Sequence, residues 1–300
     1  MTDMTKQDWA KQAKAVKFHK KAFIGGKFVD AASGKTFEVV NPATNKVLTK
    51  VAACDKEDVD RAVKAARKAF ASGVWSRQAP EARKAVLLRM ADLIRKHQTE
   101  IALLDTLDMG KPIQLTSAYD IPGSADNWQW FAEAIDKVYD EIAPTGHGNL
   151  AMIRREALGV VACVVPWNYP FQMATWKVAP SLAAGNSVIL KPAEQSPLSA
   201  LKMAELAAEA GIPDGVFIVL PGYGETAGKD IGLHMRLDCV VFTGSTEVGK
   251  FFLSYSAQSN MKQVWLECGG KSPNLVFADC DDLEAAADAS AFGIWGNQGE

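Results

Sequence analysis

Apolar and polar positions change period along this chain, and each change marks an element. Phe23-Ile24-Gly25-Gly26-Lys27-Phe28-Val29 alternates around two glycines and predicts a hairpin, because glycine supplies the positive φ of a tight turn. Residues 36–40 and Lys46–Ala52 predict short strands on either side of the Asn41-Pro42 turn. The period then becomes helical. Asp55 can cap a helix that carries Val59, Ala62, Val63, Ala66 and Phe70 on one face. Pro80 fits the first turn of a second helix, with Val86, Leu87, Met90, Leu93 and Ile94 as its buried stripe. Residues 128–138 predict another amphipathic helix. Residues 142–153, with Pro144, Gly146 and Gly148 at the centre, predict a long hairpin with a polar tip. An isolated hairpin is marginal in water, so this one needs another surface, such as a second subunit.

Beyond Gly159, strand and helix patterns alternate. Residues 160–165 are apolar and a helix follows Pro170; residues 187–190 are apolar and a helix over 199–210 stops at Gly211. Residues 216–220, 239–242, 263–266 and 274–277 are further strand-like apolar runs. This order predicts the α/β class: a mostly parallel open sheet with helices on both faces.

Composition narrows the function classes. The 300 residues hold 33 Lys and Arg against 35 Asp and Glu, a net charge of −2, so no basic stripe points to nucleic acid. The most basic stretch, 11–21, reads as a solvated face. The N-terminus has no apolar run of the secretory kind and the longest apolar run is strand-sized, so neither a signal nor a membrane segment is expected. Cys54, Cys163, Cys239, Cys268 and Cys280 are odd in number and lack C-x-x-C spacing, which argues against zinc and a disulfide framework and for a reducing cytoplasm.

Five segments can carry chemistry, each beside a plainer reading. Gly222-Tyr223-Gly224-Glu225-Thr226-Ala227 is a weak dinucleotide fingerprint or a glycine-rich turn. Phe242-Thr243-Gly244-Ser245 leads from strand to helix, where Ser245 can cap the helix or donate to a phosphate. Lys191-Pro192-Ala193-Glu194 follows a strand, where ligands of open sheets bind and a carboxylate can hold a ribose; an exposed ion pair is the alternative. Pro166-Trp167-Asn168-Tyr169-Pro170 offers an amide that can donate to an oxyanion or stabilise its own turn. Glu267 ends an apolar strand before two glycines, as a general base would. Cys268 beside it points to the opposite face of the strand and reads as a packing residue.

In this order the segments P-W-N-Y-P, K-P-A-E, P-G-Y-G-E-T-A-G, F-T-G-S-T-E-V-G and L-E-C-G-G-K-S-P resemble the aldehyde dehydrogenases, the last being close to that family's glutamate signature. The resemblance runs from about Phe23 through nearly the whole chain. Residues 130–139 and 259–262 look most like bacterial enzymes that oxidise γ-glutamyl-γ-aminobutyraldehyde.

The resemblance implies a Rossmann-like sheet with a β-hairpin arm. Residues 1–138 and 157–269 would bind NAD(P), 139–156 would be the oligomerisation arm, and 270–300 would begin a catalytic domain. It implies Asn168 as oxyanion amide, Glu267 as general base and Lys177 as a proton relay. Lys191 and Glu194 would hold the adenosine ribose, Gly244 and Ser245 the pyrophosphate, with Val248 and Gly224 near the adenine. Val165, Pro166, Trp167, Ala193 and Phe242 complete the implied cofactor site. NAD is the implied cofactor, NADP the alternative, and no metal is implied. The substrate would be a small aldehyde, oxidised to the acid through a cysteine thioester, by a homodimer or homotetramer when full length.

In that family the nucleophilic cysteine follows an Asn-Gln-Gly segment by a few residues, and here Asn297-Gln298-Gly299 precedes only Glu300. The nucleophile is therefore expected to be missing from this chain, through a cut in the sequence or because the protein is a fragment. The other reading is a non-catalytic nucleotide-binding homologue. A hydroxy-acid dehydrogenase would need an early fingerprint and a catalytic histidine, a setting that His19, His97, His147 and His234 lack.

Overall fold

The computed structural model describes residues 4–299. Helix α1 (Lys6–Ala15) is largely polar and buries no side chain; a reciprocal cap holds its start, with Asp8 N–H donating to Thr5 Oγ1 and Thr5 N–H to Asp8. Strands β1 (Ala22–Ile24) and β2 (Lys27–Val29) form the expected hairpin, with Gly25 at φ 59° and Gly26 at φ 79°. Strands β3 (Thr36–Asn41) and β4 (Lys46–Ala52) pair separately.

The helical layer follows. Helix α2 (Lys56–Ser72) is capped by Asp55 and buries Val59, Ala62, Val63 and Ala66; Ala69 rather than Phe70 completes its buried face. Helix α3 (Pro80–Lys96) starts on its proline and buries Val86, Leu87, Met90 and Ile94, leaving Leu93 half-buried. Helix α4 (Gln98–Met109) is sunk in the protein and buries Asp105 and Asp108 with its apolar side chains. The short α5 (Ile113–Leu115) leads through a π-turn into α6 (Ile121–Ala134). The helix expected over 128–138 therefore begins at Ile121, because Pro122 sits in its first turn, where a missing N–H costs nothing. Strands β5 (Glu141–Ala143) and β6 (Ala151–Ile153) form the second expected hairpin, largely exposed.

The alternating half consists of β7 (Val160–Val164), α7 (Pro170–Ala183), β8 (Ser187–Lys191), α8 (Leu198–Ala210), β9 (Phe217–Val219), α9 (Lys229–Leu233), β10 (Cys239–Gly244), α10 (Thr246–Ala257), β11 (Gln263–Cys268) and α11 (Leu283–Trp295). The main sheet has the order β11-β10-β7-β8-β9-β1-β2; β11 to β9 are parallel, and the β1–β2 hairpin closes one edge antiparallel. Successive strand residues face opposite sides, and the core divides accordingly. Val161, Cys163, Val188, Leu190 and Val219 pack against α3, α4, α6, α7 and α8. Val160, Ala162, Ile189, Ile218 and Val240 pack on the other side against α2, α9 and α10.

One strand expectation fails. Residues 274–277 form no strand and leave Leu275, Val276 and Phe277 exposed, at 70%, 50% and 72%. Periodicity cannot supply a pairing partner, and none of the described strands lies beside this run. Cys280 therefore follows an irregular segment instead of a strand.

Candidate active site

The sheet reverses direction at β7. From there the chain moves outward through β8 and β9, then returns to β7's other side with β10 and β11. Such a reversal splays the loops leaving adjacent strands and opens a crevice at their carboxyl ends. Here the crevice is a cavity of about 670 Å³, lined by Pro166, Trp167 and Asn168 after β7, Gly244 and Ser245 after β10, and Glu267 at the end of β11. Lys177 reaches it from α7. Three of the five sequence segments thus meet in one place.

Each position has a local cause. Ser245 caps α10, its Oγ accepting the Val248 N–H at 3.2 Å. Asn168 sits half-buried in the loop before α7, and its carbonyl accepts from Asn297 Nδ2 at 2.9 Å. Glu267 lies opposite Thr243 in the parallel β10–β11 register. The strand alternation turns Cys268 away from it: a Cβ on Gly249 of α10 would stand 2.9 Å from Cys268 Sγ. Burial lowers the Lys177 pKa, with Cys163 and then Glu267 pulling it back up.

A second cavity of about 640 Å³ adjoins the first through Trp167, which lines both, and Glu194 lines its wall. Lys191 is buried; its Nζ donates to the Pro192 carbonyl at 2.9 Å and stands 3.5 Å from the Glu194 carboxylate. Burial lowers its pKa, and Glu194 opposes that shift.

Some expected residues lie off the cavity walls. Val165 and Ala193 are buried beside the loops that line them, and Gly224 and Val248 are exposed. Phe242 is a core residue, packed on Phe252 at 5.1 Å between ring centres; its ring fills the space a side chain at Gly244 would need. Any part it plays toward a ligand passes through its backbone.

Sequence reasoning missed Tyr169, Met173 and Trp176, which also line the first cavity. Their spacing of four, three and seven along one helix face was the available signal. It also missed Thr243, whose Oγ1 is buried without a hydrogen-bond partner. Of the five cysteines, Cys54, Cys163 and Cys239 are buried, and burial pushes the Cys163 thiol up to about 12 and Cys239 to about 11. Cys268 is half-buried and lines the first cavity with its sulfur toward Gly249, and Cys280 lies in the irregular segment after β11.

A reversing parallel sheet with an amide, a carboxylate and a lysine around its switch-point crevice defines a doubly wound α/β protein with a nucleotide-type site. The aldehyde dehydrogenase family model matches residues 28–300, and the chain belongs to that family. It is 52% identical over 292 residues to the NADP/NAD-dependent aldehyde dehydrogenase PuuC of Escherichia coli, covering 97% of this chain and 59% of that protein. It is 48% identical to an aminoacetaldehyde dehydrogenase of Pseudomonas aeruginosa, covering 100% of this chain and 61% of the relative. Among solved structures, an indole-3-acetaldehyde dehydrogenase with NAD+ aligns at TM-score 0.98 and 55% identity over 99% of this chain and 60% of that one. A γ-glutamyl-γ-aminobutyraldehyde dehydrogenase of Burkholderia cenocepacia aligns at 0.97 and 54%, over 99% and 60%. The chain thus spans about 60% of the length of these relatives.

Proposed function

We propose that this chain carries the cofactor-binding half of an aldehyde dehydrogenase that oxidises a small aldehyde to its acid. The convergence of Asn168, Lys177 and Glu267 on the switch-point crevice carries this reading. Residues 1–138 and 157–269 form the NAD(P)-binding part, 139–156 the oligomerisation arm and 270–300 the beginning of the catalytic part. The aldehyde class is that of γ-glutamyl-γ-aminobutyraldehyde. Five unpaired cysteines accord with a reducing, cytoplasmic setting, and among the described residues no helix is long and apolar enough to cross a membrane.

The residues fit a dinucleotide. Gly244 presents bare backbone beside the start of α10, whose dipole favours a pyrophosphate. Glu194 accepts the ribose hydroxyls beside Lys191. Bound NAD+ supplies the hydride acceptor. The chain's own groups do the remaining work: the Asn168 amide donates to the carbonyl oxygen as it becomes an oxyanion. Glu267 takes a proton from the water that hydrolyses the thioester. Lys177 passes protons from beneath the crevice. In the family the thiolate that forms the thioester belongs to a cysteine a few residues after an Asn-Gln-Gly segment.

The test is a titration of the 300-residue chain with NAD+ and NADP+, followed by tryptophan fluorescence. Saturable NAD+ binding is expected, tighter than NADP+ because Glu194 repels a 2′-phosphate. No saturable binding of either nucleotide would remove the reading, and equal dissociation constants would remove the role of Glu194. The second reading is a nucleotide-binding homologue without catalysis. Steady NADH production from aldehydes by this chain would exclude that one.

A further inference from the structure

The loops that carry Asn168 and Glu194 end on helices that lack caps of their own. Helix α7 begins after Tyr169 and α8 after Pro197, and neither residue offers a side-chain cap. Uncapped first-turn amides are costly inside a protein. Helix α4 supplies the missing acceptors. The Phe171 N–H donates to Asp105 Oδ2 at 3.4 Å, and the Leu198 N–H donates to Asp108 Oδ2 at 3.0 Å. Phe171 is the first available donor of α7, because Pro170 has none. The two aspartates are three residues apart, on one face of α4. Both are buried, at 1% and 2% exposure.

Buried carboxylates are expensive, and burial pushes the Asp105 carboxyl up to about 7 and Asp108 well above the usual range. An apolar side chain at either position would leave the Phe171 or the Leu198 N–H without its acceptor. What these two carboxylates join is informative. One end of each hydrogen bond is α4, and the other is the first turn after a loop of the crevice: residues 165–169 between β7 and α7, and residues 192–197 between β8 and α8.

We propose that Asp105 and Asp108 are positioning residues, capping α7 and α8 in trans from one helix and so holding the Asn168 loop and the Lys191–Glu194 loop in fixed relation. The functional consequence rests on the nucleotide-binding reading above; the brace itself does not. Asp108 governs the ribose end of the site and Asp105 the end that holds the oxyanion amide.

The experiment uses the 300-residue chain and the variants Asp105→Ala, Asp108→Ala, Asp105→Asn, Asp108→Asn and Leu104→Ala. Leu104 is a buried apolar neighbour on α4 and controls for general loosening. Amide exchange is followed at the starts of α7 and α8, and ADP-ribose affinity by titration. Asp108→Ala should speed exchange at the start of α8 and weaken ADP-ribose about five- to tenfold, the equilibrium equivalent of losing one cap. Asp105→Ala should speed exchange more at the start of α7 than at the start of α8, where Asp105 also faces Ser199. Each Asn variant keeps an acceptor oxygen and should restore slow exchange. Leu104→Ala should lower the melting temperature without either local signature. Uniform loosening in all three truncations, or unchanged exchange at both helix starts, overturns the proposal. If the alanine variants do not fold, the unmodified chain decides: the Phe171 and Leu198 amides should be protected, and exchange of both at solvent-limited rates overturns the brace. A parent chain that binds no ADP-ribose would sink the nucleotide reading, while the exchange pattern would still judge the brace.

Discussion

At the scale of single residues, Glu267 and Asp105 are carboxylates with opposite surroundings. Glu267 is exposed at the end of β11, where water reaches it, as a base that activates water requires. In an enzyme of the relatives' full length, Glu267→Gln should cut steady-state turnover about a hundredfold while NAD+ affinity changes little, since removing a general base costs factors of about 10²–10⁴. Burst kinetics would check this; unchanged turnover at pH 7 would take the base role away. Asp105 is buried, and its carboxyl is pushed from 3.8 to about 7. Between those values the folded protein holds a proton that the unfolded chain has released. Stability therefore falls as pH rises through that window and levels off above about 7. Asp105→Asn, which has no such proton to lose, should gain stability relative to the parent as pH rises from 5 to 8. Urea unfolding at both pH values measures it, and a constant difference would contradict the burial effect.

At the scale of elements, the sequence showed most where one period or one cap dominates. Asp55, Gly211, Ser245 and the Gly25-Gly26 pair each punctuate an element where expected. Helix α1 was hidden because it buries nothing and so leaves no apolar stripe. Helix α4 was hidden for the opposite reason: buried aspartates interrupt its stripe. Residues 274–277 resembled a strand because apolar runs record burial wanted, not pairing achieved. The site was legible as fragments only, since its parts lie on three strands separated by up to about a hundred residues and meet through topology. The β5–β6 hairpin keeps Ile142, Leu150 and Met152 at 70% exposure or more. Deleting residues 141–153 should barely shift the melting temperature yet weaken self-association if the arm joins subunits. Sedimentation velocity reads the second effect; association unchanged by the deletion would argue against the arm.

At the scale of the whole molecule, the last forty residues leave several large apolar side chains exposed. Trp265, Leu275, Phe277, Phe292, Ile294 and Trp295 are each more than 60% exposed. Exposed apolar area on this scale favours association. The 300-residue chain should therefore bind a hydrophobic dye and associate as its concentration rises. Adding a segment that completes the family's length should suppress both. Dye binding no higher than that of an ordinary monomer would mean the surface is already covered in solution.

The position of β7 also decides when folding can begin. During synthesis, α3 and α6 leave the ribosome before α7 and α8, the helices that lie between them and the sheet. At about 5–20 residues per second, the wait between the end of α6 and the end of β9 is on the order of 10 seconds. Until α7 and α8 follow, α3 and α6 have only each other to cover Leu87, Met90 and Trp128. This is the exposure that chaperones act on, and the non-local pairing that follows is intrinsically slow. A chain stopped at residue 155 should show helical circular dichroism without a cooperative melt. One stopped at residue 262, which contains β7 to β10, should melt sharply.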